Sequence, residues 1–413
     1  MDARRVAEET ARASYGRLVA YLAARSRDVA GAEDALGEAF RAALERWPRD
    51  GVPDKPEAWL LAVARRQMID HSRRSQTQDR NADVLRMLAD ENAAESGGVI
   101  PDERLKLLFI CAHPAIDAAA RTPLMLQTVL GLDALRIASA FLVSPAAMGQ
   151  RLARAKAKIR DAGIAFGVPE PADLPDRLEA VLDAIYAAYG TGWEDAAGAD
   201  PRRSGLATEA IWLARLATAL LPREPEALGL LALMLHCEAR RPSRRDSTGA
   251  YVPLSEQDTA RWDRAMTDEA ESVLLKAAAF RQPGRFQLEA AIQSAHARRA
   301  IDGVTDWAAI VQLYDQLVRV APGVGAQVSR AAALSMTEGA PAGLAALDNI
   351  ASPAVGDYQP YWAVRAHLLA ERGELTAARE AYARAIGLSE DERVRAFLIA
   401  RCRSRTGADP APA

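Results

Sequence analysis

The 413-residue sequence is poor in aromatic residues, at 6%, and has three cysteines, Cys111, Cys237 and Cys402. They lie far apart with no Cys-x-x-Cys pair, which excludes a disulfide framework and a sequence-local zinc ribbon. No run of about 18 apolar residues occurs, so no transmembrane helix and no membrane partner are expected. The opening MDARRVAEETARASYGRL lacks the apolar core of a signal peptide, and a cytoplasmic location is expected. There is no phosphate-binding Gly/Lys loop, no Gly-x-Gly-x-x-Gly and no His-Glu-x-x-His. Cys111 and His113 stand two apart, which on a helix turns them to different faces, and no orienting acid is evident. No catalytic residue, metal site or cofactor is therefore expected. Gly 26 and Pro 22 are ordinary counts, so the chain is neither collagen-like nor low-complexity. At roughly 100–200 residues per domain, the length allows two to four domains.

Charge is present but unevenly placed. The whole chain is −3, yet residues 1–170 carry 25 Lys+Arg against 23 Asp+Glu, and the remainder carries 27 against 32. Arg65, Arg66, Arg73 and Arg74 surround a single acid, Asp70. Arg151, Arg154, Lys156, Lys158 and Arg160 follow one another with no acid between them. Two basic helices in a near-neutral segment point to two anion contacts, or to two solvated helix faces.

Apolar spacing is helical nearly throughout, and strands are almost absent. Val6 to Leu22 reads as a first helix. Gly31 and Pro48 bound a second, Ala32–Trp47, with Ala35, Leu36, Ala39, Phe40, Ala43 and Leu44 on its stripe. PRDGVPDKP (48–56) reads as an irregular loop. A third helix follows Pro56, with Trp59, Leu60, Val63, Ala64 and Ile69 apolar. Residues 75–100 are polar and end in ESGGVIP, a linker with one short helix at Val84–Leu88. Further helices are expected near 102–111, 118–130, 133–141 and 145–160. In the last pair, DALRIASAFLVSPAAMGQRLARAKAKIR, Ser144 suits an N-cap and Pro145 the first helical position. Met148, Leu152, Ala155 and Ile159 make an apolar stripe, opposite Gln150, Arg151, Arg154, Lys156 and Lys158. The pair reads as a helix-turn-helix whose second helix fits a major groove, or as a helical hairpin with a basic surface.

With these motifs in order, residues 5–165 resemble a bacterial RNA polymerase sigma factor of the extracytoplasmic-function type. RTPLMLQTVLGLDALRIASAFLVSPAAMGQRLARAKAKIR (121–160) is similar to region 4. AGAEDALGEAFRAALERW (30–47) is similar to region 2.2, and KPEAWLLAVARRQMIDHSRR (55–74) to regions 2.3 and 2.4. The resemblance implies that Glu33, Asp34, Glu38, Arg41 and Glu45 form an exposed docking face for the β′ clamp helices of core RNA polymerase, with region 4 meeting the β flap. It implies promoter DNA as second partner. Arg65, Arg66, His71, Arg73 and Arg74 would meet the −10 strand, loop 48–56 would capture a flipped base, and Gln150, Arg151 and Arg154 would read the −35 element, with Lys156 and Lys158 on its phosphates. Phe40, Trp47 and Trp59 are expected in the core. Gly149 departs from the family, which often has Lys or Arg there, and PLMLQT replaces a segment commonly rich in Arg and Glu.

The second half carries a 34-residue period across 291–324, 325–358 and 359–392. Thr305, Gly339 and Gly373 occupy its turn; Ile310, Leu344 and Ala378, then Tyr314, Asp348 and Tyr382, then Leu317, Ala351 and Ala385, follow in register. YWAVRAHLLAERGELTAAREAYARAIGLSED resembles a tetratricopeptide repeat, with Glu390 where Pro is usual, and a degenerate pair lies at 205–240. Such units bury surface by stacking. A helix is expected at Leu174–Tyr189, and residues 240–262 read as a flexible insertion or as a loop that touches the sigma part, the first being favoured.

The expected fold is all-α: a region 2 bundle (1–74), a linker (75–100), a region 4 helix-turn-helix domain (101–165) and a tetratricopeptide-like α-solenoid (166–413). The resemblance implies a promoter-directing sigma factor regulated by its own extension, which contacts the sigma domains. The alternatives are a helix-turn-helix regulator with a sensor domain and a scaffold that binds no DNA. An acidic helix followed by a basic one favours the first reading, because a repressor needs no polymerase-docking face.

Overall fold

The computed structural model describes residues 3–74, 102–141, 143–170, 172–194, 206–389, 391–407 and 409. All regular secondary structure among them is helical, as expected; one isolated antiparallel bridge joins Arg245 to Tyr251. The linker 75–100, its Val84–Leu88 helix and Glu390 lie outside the described residues. Among the described residues no helix is long and apolar enough to cross a membrane. The chain divides into two compact units, Met1–Leu213 and Ala214–Ala413.

The first unit contains α1 (Ala3–Ser26), α2 (Val29–Asp50), α3 (Pro56–Arg74), α4 (Arg104–Cys111), α5 (Ala118–Thr128), α6 (Ala134–Ala140), α7 (Pro145–Asp161), α8 (Leu174–Glu194) and the start of α9 (Leu206–Leu220). The C-terminal half of α1 is buried all round, from Leu18 to Ala23. This follows from its position, because α2, α3, α4 and α5 all pack on it. The helix bounds expected at Gly31 and Pro48 are corrected: both residues lie inside α2. The Asp28 carboxylate caps α2 by accepting from Gly31 N–H at 3.1 Å. Pro48 sits in the last turns, where its missing N–H removes one hydrogen bond without ending the helix. The helix stops at Gly51, whose φ of 90° suits glycine and whose N–H donates to Trp47 O at 3.1 Å.

Segments 1–74 and 101–165, expected as two domains, pack within one compact unit. Besides the packing on α1, α2 packs on α7. A Cβ at Gly16 of α1 would fall 2.0 Å from the Val129 carbonyl oxygen, so the close approach requires glycine. Helix α8 was expected in the C-terminal extension but packs on α4 and α5. Thr122 Oγ1 donates to Ala184 O at 3.0 Å, and Arg177 Nη2 donates to Phe109 O at 2.8 Å.

The second unit runs through α10 (Pro225–Ala239), α11 (Arg264–Ala278), α12 (Arg285–Ala297), the one-turn α13 (Arg299–Asp302), α14 (Trp307–Val320), α15 (Val324–Glu338), α16 (Ala340–Asp348), α17 (Gln359–Glu371), α18 (Leu375–Gly387) and α19 (Glu392–Thr406). From α14 onward each helix packs on its sequence neighbours, so core is built by stacking. The 34-residue register matches helix pairs α15/α16 and α17/α18, with Gly339 and Gly373 at their turns at φ 87° and 80°. Ile310, Leu344 and Ala378 are all buried. The middle copy departs from the pattern. Helix α16 ends at Asp348, which is exposed and pairs with Arg365 at 2.5 Å; Ala351 lies beyond the helix, and Leu347 is buried instead.

Residues 240–262 form an ordered loop, not a flexible insertion. Ser243, Gln257 and Trp262 are buried in it, and it contains three short 3-10 turns. Ser243 Oγ donates to Asp258 O at 3.0 Å, and Arg261 Nη1 donates to Arg245 O at 3.0 Å.

Candidate functional site

The candidate residues sit on three helices of the first unit. On α2, the stripe Ala32, Ala35, Leu36, Ala39, Ala43 and Trp47 is buried. Asp34, Arg41 and Glu45 are exposed and Glu38 half-buried along the opposite side, with Leu44 exposed nearby. Arg41 bridges Glu38 and, at 3.6 Å, Glu45, and the neighbouring Glu38 carboxylate raises the guanidinium pKa. Trp47 is in the core, edge-on to Trp59 at 5.5 Å, and Phe40 stacks on Tyr15 at 6.5 Å.

Glu33 is a correction to the expected exposed face. Its side chain is only 7% exposed and pairs with Lys156 of α7, itself 15% exposed. Burial raises the Glu33 pKa, opposed by the attraction of Lys156 and reinforced by Asp34. One residue from the expected docking set and one from the expected −35 set thus satisfy each other.

Arg65 is a second correction. It points into the core, 4% exposed, where it donates to the Tyr21 hydroxyl and lies 5.1 Å from the centre of that ring. It cannot meet a nucleic-acid backbone from there. Arg66 on the same helix is exposed. His71, Arg73 and Arg74 lie in the last turns of α3, and their side chains fall outside the described residues.

Helix α7 is built as its spacing predicts. Ser144 Oγ accepts from Ala147 N–H at 3.2 Å, and Pro145 opens the helix. Met148, Leu152, Ala155 and Ile159 are buried. Gln150, Arg154 and Lys158 are exposed, and their four-residue spacing puts them on one face. Arg151 is half-buried, its Nη1 donating to Ala119 O at 3.4 Å. Helix α6 packs on α7. A Cβ at Gly149 would meet nothing within 4 Å, so packing does not require glycine there.

Cys111 is buried against Thr128, their Sγ and Oγ1 3.3 Å apart, and burial pushes the thiol up to about 12. It is therefore protonated near neutral pH and a poor nucleophile. The His113 ring accepts from Ala115 N–H at 3.1 Å, and partial burial lowers its pKa. Among the described residues no three His, Cys, Asp or Glu side chains are placed to hold a metal ion.

Residues 11–78, which run from α1 through the end of α3, match the sigma-70 region 2 family. The N-terminal helices thus carry a sigma-70 region 2. That region supports a sigma factor-like role in transcription initiation and implies core RNA polymerase and promoter DNA as partners. Residues 177–278 match a family of unknown function (DUF6596), a stretch that includes most of α8, then α9 and α10, and ends with α11. An uncharacterized protein of Rhizobium meliloti (strain 1021) is 39% identical over 392 residues, covering 93% of this chain and 91% of that protein. The likeness therefore extends through both units. No solved structure matches it.

The sequence carried no sign of two partners found here: Tyr21 for Arg65, and Glu57 for both Ser14 and Arg17. Each joins α1 to α3 across some forty positions. Local periodicity holds no information at that range.

Proposed function

We propose that the chain is an extracytoplasmic-function type sigma factor that binds core RNA polymerase and directs it to promoters through −10 and −35 contacts. The carrying observation is α7: Gln150, Arg154 and Lys158 lie exposed on one face of a Ser144-capped helix whose opposite stripe is buried. It shares a compact unit with a sigma-70 region 2. In this reading α7 enters the −35 major groove, where an exposed Arg is suited to guanine and Lys158 to phosphate. Arg66, His71, Arg73 and Arg74 track the −10 strand, and the loop ending α2 faces the unstacked base. Asp34, Glu38, Arg41 and Glu45 dock on the β′ clamp helices, and the α6–α7 region meets the β flap.

The contact between Glu33 and Lys156 has a consequence for this reading. It holds the polymerase-facing helix against the −35 helix, and in this reading the two separate when the −10 and −35 elements are engaged together. The linker 75–100 supplies the length: about 26 extended residues reach several tens of ångströms. The 34-residue helical repeats act as a tetratricopeptide-like regulatory extension, which contacts the sigma domains and sets how readily they part.

The test is co-elution of the full chain with bacterial core RNA polymerase, beside Glu38→Arg. Binding by the parent that charge reversal weakens supports the reading. Binding by residues 1–194 but not by the full chain shows that the extension masks the sigma part. Absence of binding by either refutes the reading and favours a conventional regulator. A cut at 194 is chosen over one near 165 because α8 packs on α4 and α5.

A further inference from the structure

The second unit holds an open groove of about 700 Å³, within the size range of sites for small organic ligands. Its walls come from α14, α15, α17 and α19, and residues 251–256 of the loop between α10 and α11 contribute to its lining. Three ties hold that loop in place. Arg299 donates to Ser255 O at 2.7 Å and to Gln257 O at 2.8 Å; Arg401 of α19 pairs with Glu256; and the Tyr251 ring meets Phe397 edge-on at 5.3 Å. These ties fix one wall of the groove, so its shape is set before a ligand enters.

Polar groups converge at the α17–α19 side. Tyr382 is 1% exposed and lines the groove, yet its hydroxyl has no hydrogen-bond partner among the described residues. A buried hydroxyl is normally paired, so an unpaired one at a groove wall marks a place for a ligand acceptor. The charges acting on that hydroxyl include Arg401, Arg405 and Glu371. Arg401 is held by Glu256, and His367 faces Glu371 at 3.3 Å. Arg405 is exposed at the rim and makes no ion pair among the described residues.

The sign and size of the ligand's charge follow from the lining. Arg299, Arg401 and Arg405 stand against Glu256 and Glu371. Burial holds His296 down at about 4 and lowers the His367 pKa, so both are neutral at pH 7. One positive charge remains, which suits a single negative charge and disfavours a dianion beside two carboxylates. The rest of the wall offers aromatic faces: Trp307, Tyr314 and Phe397.

We propose that this groove binds a small aromatic monocarboxylate, its carboxylate accepting from the Tyr382 hydroxyl and Arg405 and its ring lying against Tyr314 and Phe397. The site makes the second unit a receptor for a metabolite-sized anion, whatever the first unit does with polymerase.

The test is isothermal titration calorimetry of the full chain with benzoate, indole-3-acetate and 1-naphthylacetate, each beside its neutral amide. At least one acid should bind with a Kd below about 1 mM, with its amide about tenfold weaker or worse, since the charged hydrogen bond is lost. Tyr382→Phe, which keeps the ring, and Arg405→Ala, at the exposed rim, should each weaken that acid about five- to tenfold while leaving the melting temperature of the free protein unchanged. No binding by any of the three acids, equal binding of acid and amide, or wild-type affinity in both variants overturns the proposal. Neither polymerase nor DNA enters the measurement, so its failure is separate from failure of the transcription reading.

Discussion

Removing Lys156 leaves a buried carboxylate without its cation, and the consequences can be worked out from the structure. Glu33 and Lys156 are 7% and 15% exposed, so both have lost most of their water. Burial raises the Glu33 pKa in spite of the lysine, so the carboxylate pays more in desolvation than the pair returns. Lys156→Met should then destabilise the first unit by about 3–5 kcal/mol near neutral pH. Glu33→Gln with Lys156→Met should bring stability back to within about 1–2 kcal/mol of the parent, because no charge is left buried. A coupling energy of at least about 1 kcal/mol follows even if Glu33→Gln alone costs nothing, where independent sites give less than about 0.5 kcal/mol. The assay is chemical denaturation of the full chain and all three variants, with hydrogen exchange of α2 and α7 amides identifying the transition of the first unit. The pH dependence gives a second check. A carboxyl whose folded pKa is raised contributes stability at low pH and loses it as pH rises through that pKa. The penalty of Lys156→Met must therefore be larger at pH 8 than at pH 5. Additive single and double variants, or a penalty that grows on acidification, would refute the contact.

Other expectations follow from single residues. Arg65→Ala should lower stability by about 1–3 kcal/mol by removing a buried hydrogen bond to the Tyr21 hydroxyl, an effect read by denaturation; a variant of parental stability with reduced promoter binding would contradict the inward Arg65. Arg154→Ala should weaken binding of polymerase holoenzyme to a cognate −35 element by about 1–3 kcal/mol, seen in footprint titrations, and an equal loss on all sequences would mark a phosphate contact. Gly149→Ala should stabilise α7 by about 0.5–1 kcal/mol, because a methyl there meets nothing and glycine is a poor helix former. His236 is buried, and desolvation, reinforced by Arg240, pushes its pKa down to about 3. The unfolded chain binds that proton first, so stability is lost as pH falls from about 6.5 towards 3, by about 1.4 kcal/mol per pH unit. Melting of the second unit between pH 7 and 5 should be less pH-dependent in His236→Asn than in the parent.

What was legible in the sequence is what depends on near neighbours. The α7 stripe of Met148, Leu152, Ala155 and Ile159 and its Ser144–Pro145 start lie within two turns of one another, and spacing alone placed them. The 34-residue register found the turns at Gly339 and Gly373 because only a residue tolerant of positive φ closes those pairs. It failed at Asp348, where α16 ends early and Leu347 takes the buried place. Helix ends were misjudged at Gly31 and Pro48, since a cap at Asp28 and tertiary packing override single-residue breakers.

The site itself was only half legible. Spacing could say that Gln150, Arg154 and Lys158 share a face, because a helix fixes that by its own period. It could not say that Arg65 turns inward to Tyr21 or that Glu33 is buried on Lys156. Nor could it say that residues 251–256 line a groove whose wall includes Tyr382. Sequence by itself determined an all-helical chain, two basic helices, a sigma-70 region 2 pattern and a repeat of fixed period. Tertiary structure alone decided which charged groups remain in water and which are desolvated against a partner far along the chain. The physical reason is that helix periodicity is a property of a few consecutive residues, whereas the free energy of a charge is set by whatever the fold places around it.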